Sequence, residues 1–85
     1  MRMREMREMM EQNMYEVIVR NGGGSLYSMR WEPVLMKMVD ALRISKKDAK
    51  ELRVENVLEY TWTLTDDEEF LAFYDLVMRR AWVCM

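Results

Sequence analysis

The sequence predicts a small single α+β domain: an antiparallel β-hairpin and a third strand with helices packed on one face, in the order α-β-β-α-α-β-α. Three observations lead there. All three glycines fall in the run RNGGGSLYSMRW, residues 20–31, between two stretches whose apolar side chains alternate. A third stretch, VLEYTWTL, alternates in the same way. The other apolar residues recur at three- and four-residue spacing. Alternation places one face of a strand on a core, whereas a spacing of three and four does the same for a helix.

Residues 1–13, MRMREMREMMEQN, read as an amphipathic helix ahead of the domain proper, residues 14–85. Met3, Met6 and Met10 form its stripe, and Arg2, Arg4, Glu5, Arg7, Glu8 and Glu11 occupy the other faces. In MYEVIVR the side chains of Tyr15, Val17 and Val19 share one strand face, and in LYSMRW those of Tyr27, Met29 and Trp31 do so. With Asn21–Ser25 as the loop, Tyr15 faces Trp31, Val17 faces Met29 and Val19 faces Tyr27, while Glu16 meets Arg30 on the opposite face. One register suits both faces, which favours a hairpin loop over a linker. A Walker-type phosphate loop needs a Lys and a helix after the glycines, and this segment reads as Ser-Leu-Tyr and a strand.

Pro33 suits the first turn of a helix, where its missing N–H costs nothing, and Val34, Leu35, Met38, Val39 and Leu42 then recur at helical spacing to about Arg43. Ser45 caps a short helix, SKKDAKEL, with Asp48 in the capping-box position and Ala49 and Leu52 as its buried residues. Leu58, Tyr60, Trp62 and Leu64 alternate with Glu59, Thr61 and Thr63 as the third strand. Thr65 and Glu68 form the capping box of the last helix. Its buried stripe is Phe70, Phe73, Tyr74, Val77, Met78 and Ala81, with Leu71 beside it.

Hydrophobic residues make up 51% and charged residues 33% of the chain, a balance that folds. No apolar run reaches the roughly 18–20 residues of a membrane span, and the N-terminus lacks a signal-peptide apolar block, so a cytoplasmic protein is expected. The net charge of −2 does not mark the chain as a whole for a polyanion. There is no histidine, and the one cysteine is Cys84. A thiol metal cluster, an internal disulfide and a Cys–His nucleophile are therefore excluded, and no cofactor is expected. Asp66, Asp67, Glu68 and Glu69 are consecutive on a helix and point apart, and a helix start draws acids for electrostatic reasons alone. Enzymatic activity is not expected.

Eleven methionines are the compositional outlier. A methionine-lined helix is flexible and polarizable, fit to adapt to a partner's apolar surface. The expectation is a small non-enzymatic protein-binding module that self-associates as a homodimer through Met3, Met6 and Met10. Such a module would act as a regulator or inhibitor of a larger protein machine, of the phage-accessory type. One alternative is a nucleic-acid-binding accessory domain. Arg43, Lys46, Lys47, Lys50 and Arg53 stand close together there, opposed only by Asp48 and Glu51. Another is an artificial sequence selected for folding alone, to which GGGS and the methionine excess point.

Overall fold

The apolar spacing that begins at Met3 does not stop at residue 13. The computed structural model describes residues 2–21 and 24–82, without the side chains of Ala81 and Trp82. In it α1 is one continuous helix, Met3–Asn21. Met14 and Ile18 are buried on the stripe that Met6 and Met10 start, each four residues from the last. Val17 packs at its edge, whereas Tyr15 and Val19 are exposed, Val19 at 60%. The residues of the expected first strand therefore continue the helix. They satisfy both periods, and the helical one brings the wholly apolar Met14 and Ile18 inward while the Tyr15 hydroxyl stays on the exposed side.

Four more helices follow: α2, Glu32–Leu42; α3, Lys46–Ala49; α4, Asn56–Thr61; and α5, Asp67–Trp82. About 70% of the described residues are helical, and there is no strand or sheet among them. The expected α+β class, its β-hairpin and its third strand are thus overturned in favour of a small all-helical domain.

Residues 24–31 show why the second strand fails. Leu26 and Trp31 are both buried, and a five-residue separation cannot place two side chains on one face of a strand. Tyr27 and Met29, expected inside, are exposed. The antiparallel partner of this segment is not residues 15–19 but residues 52–54. Ser25 and Arg53 form an isolated bridge, where the Leu26 N–H donates to the Leu52 carbonyl at 2.8 Å and the Val54 N–H to the Gly24 carbonyl at 2.9 Å. Gly24 is exposed with open space around its α-carbon, so its part is the carbonyl it offers; Gly22 and Gly23 lie outside the described residues.

The third expected strand is α4 and its flanks. Val54, Val57, Thr61 and Leu64 are buried at spacings of three and four. The alternating set keeps Tyr60 and Leu64 inside, leaves Leu58 half-buried and exposes Trp62 at 60%. The turn is started by Asn56, whose Oδ1 accepts the Arg53 N–H at 2.7 Å, and the buried Thr61 hydroxyl donates to the Val57 carbonyl at 2.7 Å.

The remaining helices start where the chain punctuates them. Pro33 opens α2, and Arg43 closes it in the left-handed conformation, φ 54°, with its N–H on the Val39 carbonyl at 2.8 Å. Ser45 caps α3 by accepting the Asp48 N–H at 3.2 Å. The cap of α5 is Asp66 rather than Thr65: its Oδ1 accepts the N–H groups of Glu68 at 2.8 Å and Glu69 at 3.1 Å. A carboxylate at a helix start gains from the dipole as well as the hydrogen bonds, which a threonine does not. Phe70, Phe73 and Val77 are fully inside, Tyr74 and Met78 pack against them, and Leu71 is exposed; the Ala81 side chain lies outside the described residues.

These elements build a slab of 41 × 30 × 16 Å, thin enough for two layers of helices. α1 packs on α5 and α4, and α2 packs on α5. Asn13 Nδ2 reaches the Tyr74 hydroxyl at 3.3 Å, and the Tyr60 ring meets Phe73 edge-on at 4.9 Å. Arg7 ties three elements together: its guanidinium lies 4.2 Å over the Phe70 ring, pairs with Glu11 at 3.2 Å and donates to the Thr61 carbonyl at 3.2 Å. No helix among the described residues is long and apolar enough to cross a membrane.

Two measurements check this arrangement. Ile18→Ala should cost about 2–5 kcal/mol in denaturant unfolding, while Val19→Ala stays within about 0.5 kcal/mol; a hairpin with Val19 inward would reverse the order. Burial lifts the Tyr60 phenol above its ordinary 10.0, with Glu69 adding to the rise. The stability this gives is present below pH 10.0 and is lost as the pH climbs through the raised folded value. Tyr60→Phe should therefore flatten the alkaline limb of a stability profile.

Candidate functional site

Two concavities among the described residues bear on function. The smaller, about 80 Å³, lies beside Tyr60 and Phe73 with Lys37 and Glu69 at its edge. It has room for about two or three waters and no organic ligand. The larger measures about 520 Å³, within the range of ligand and peptide sites.

This larger groove is made by α2, α3 and the residues before α2. Glu32, Leu35, Met36 and Val39 line it at positions i, i+3, i+4 and i+7, one face of α2 over two turns. Tyr27 and Met29 form a second wall, with Lys46 and Ala49 of α3 as the third. The floor is Leu35, Val39 and Ala49, buried or half-buried; the rims are Tyr27, Met29 and Met36, which are 54%, 90% and 58% exposed. Three large apolar side chains thus stand in solvent around one apolar floor, the kind of patch that marks an interaction surface.

The position of the rim follows from the local chain. The bridge of Gly24 and Leu26 with Leu52 and Val54 fixes the stretch that leads into Tyr27 and Met29 against the segment that follows α3. Tyr27 is further held by its N–H on the Ser25 hydroxyl at 3.1 Å and by the Lys50 ammonium 5.8 Å from its ring centre. Arg30 lies over the Trp31 ring at 5.3 Å and donates to the Asn21 carboxamide, joining the end of α1 to the start of α2.

The residues singled out from the sequence divide between two places. Met3, Met6 and Met10 are half-buried on the inner side of α1, and Met10 packs against the chain's own core. Arg43, Lys46, Lys47, Lys50 and Arg53 are all exposed. Lys46 lines the groove, and Lys50 flanks it through Tyr27, so part of the basic segment and the apolar groove are one site. Sequence reasoning missed Tyr27, Met29 and Met36. The first two were placed inside by the hairpin register, but Met36 was legible: it is an apolar residue beside the stripe of Val34, Leu35, Met38 and Val39.

The acidic start of α5 is accounted for by Asp66 capping, and among the described residues no group of three or more ligating side chains could hold a metal ion. Cys84 lies outside the described residues. Met10→Glu should destabilise the fold by about 1–3 kcal/mol, because it carries a charge to the core edge, whereas Met3→Glu stays within about 0.5 kcal/mol. Chemical denaturation of the two variants checks the difference. No protein-family model matches the chain, and neither curated proteins nor solved structures yield a match, so what the groove takes follows from its own chemistry.

Proposed function

We propose that this chain is a small non-enzymatic protein-binding module of the cytoplasm, which receives an apolar segment of a larger protein in the groove between α2, α3 and residues 27–29. The observation that supports this reading is the exposure of Met29, Met36 and Tyr27 around an apolar floor. Methionine side chains bend to fit what they meet, and a tyrosine supplies a rigid wall with a polar tip. Met29 and Met36 suit the role better than Met3, Met6 and Met10, because Met10 is committed to the core.

The basic residues Arg43, Lys46, Lys47, Lys50 and Arg53 keep a nucleic-acid reading in view, but the groove that Lys46 lines is apolar rather than a track for phosphates. Affinity capture from nuclease-treated lysate, run side by side with wild type and Met36→Glu, tests the proposal. Proteins retained by wild type and lost with the variant are the expected result. A capture that nuclease abolishes, or that the variant leaves unchanged, speaks against it. Met36 is exposed, so circular dichroism should show the variant folded as the wild type is.

A further inference from the structure

The charges around the groove are not evenly placed. Lys46 lines its α3 wall, and Lys50, one turn further along, stands over Tyr27 on the same side. Lys47 and Arg43 are exposed on the same stretch of chain and, like the acidic Asp48 and Glu51, do not line the groove. Glu32 is the single acidic lining residue, at the start of α2 and so at the end of the helical strip away from Val39. An occupant thus meets an apolar floor with cations along one side.

We infer that the groove takes an acidic amphipathic helix from a partner protein, an inference that rests on the groove being the binding site proposed above. Apolar side chains at i, i+3 and i+4 of that helix seat on Leu35, Val39 and Ala49, between Tyr27 and Met36, in the manner of a helix laid in a groove. Carboxylates one turn apart on its flank face Lys46 and Lys50. The two-turn strip of α2 sets the length of the contact. A nucleic acid fits this surface less well: one ring, Tyr27, is available for stacking, and the Lys50 ammonium already stands over it. A second copy of the chain fits less well too, because the acidic end of α5 leads directly into Phe70, Phe73 and Val77, which are buried in its own core.

The test uses the whole chain and three synthetic helical peptides with the same leucine face, flanked by glutamates, glutamines or lysines, read by fluorescence anisotropy. The glutamate peptide should bind about tenfold more tightly than the glutamine peptide, the scale expected of two exposed ion pairs at the strong end of their range. That advantage should disappear in high salt and in the double variant Lys46→Glu/Lys50→Glu. Met36→Glu should weaken all three, and Met29→Glu serves in its place if that variant does not fold. Equal binding of the glutamate and glutamine peptides, both lost in Met36→Glu, overturns the acidic assignment and leaves the groove as a binding site. Absence of any binding sensitive to Met36 or Met29 overturns both readings. A single-stranded oligonucleotide that displaces the glutamate peptide from wild type, or a concentration-dependent mass that Met36→Glu abolishes, overturns the inference in favour of nucleic acid or of self-pairing.

Discussion

Everything in this molecule hangs on how α1 lies across α5. Met14 and Ile18 on one helix and Phe70, Phe73 and Val77 on the other belong to a single buried cluster, and a chain this short has no second core to fall back on. Apolar contact alone would let two such helices slide. Two polar contacts fix the register instead: Asn13 on the Tyr74 hydroxyl, and Arg7 laid over Phe70 while its guanidinium also reaches the end of α4. An arginine guanidinium can lie on a ring face while its N–H edge donates hydrogen bonds, so one residue both packs and orients.

The groove is a by-product of that arrangement, and its openness has a cause. α2 is apolar over more than one face: Val34 and Met38 turn to the core, while Met36 and Val39 border the other side. A helix with so broad an apolar surface needs neighbours on two sides. Here a two-layer slab supplies one of them through α5, and α3, at four residues, is too short to supply the other. What remains uncovered is a strip of α2 with a basic edge.

The parts of this fold that the sequence made legible are those with a single possible period and clear punctuation. α2 after Pro33, the Ser45 cap and α5 with its Phe70, Phe73 and Val77 stripe are of this kind. α1 beyond residue 13 and α4 were misread for a common reason: Tyr15, Val17 and Val19, or Tyr60, Trp62 and Leu64, alternate within a stretch that also repeats at three and four. Valine and isoleucine favour strands by local preference, and the tertiary contact with α5 overrides it. Continuity was the available signal, because Met6, Met10, Met14 and Ile18 keep step across the supposed boundary. The groove could not be foreseen from a hairpin register that turned Tyr27 and Met29 inward. Its basic wall was visible as a charge cluster, though with no hint that an apolar floor adjoined it.

The pairing of α1 with α5 also has a bearing on the order of events in time. Asn13 and Tyr74 are 61 residues apart, and Arg7 and Thr61 are 54 apart, so the contacts that set the register are among the most distant the chain can make. Loop closure over such a span adds little to the free energy of the finished fold, since each doubling of length costs only about 0.6 kcal/mol. Its weight falls on rate, because a helical protein usually gains its speed from local contacts. During synthesis α1 is made before Phe70, Phe73 and Val77 exist to cover it. Until α5 follows, Met14 and Ile18 lack their cover, and exposed apolar surface of this kind makes an incomplete chain prone to stick.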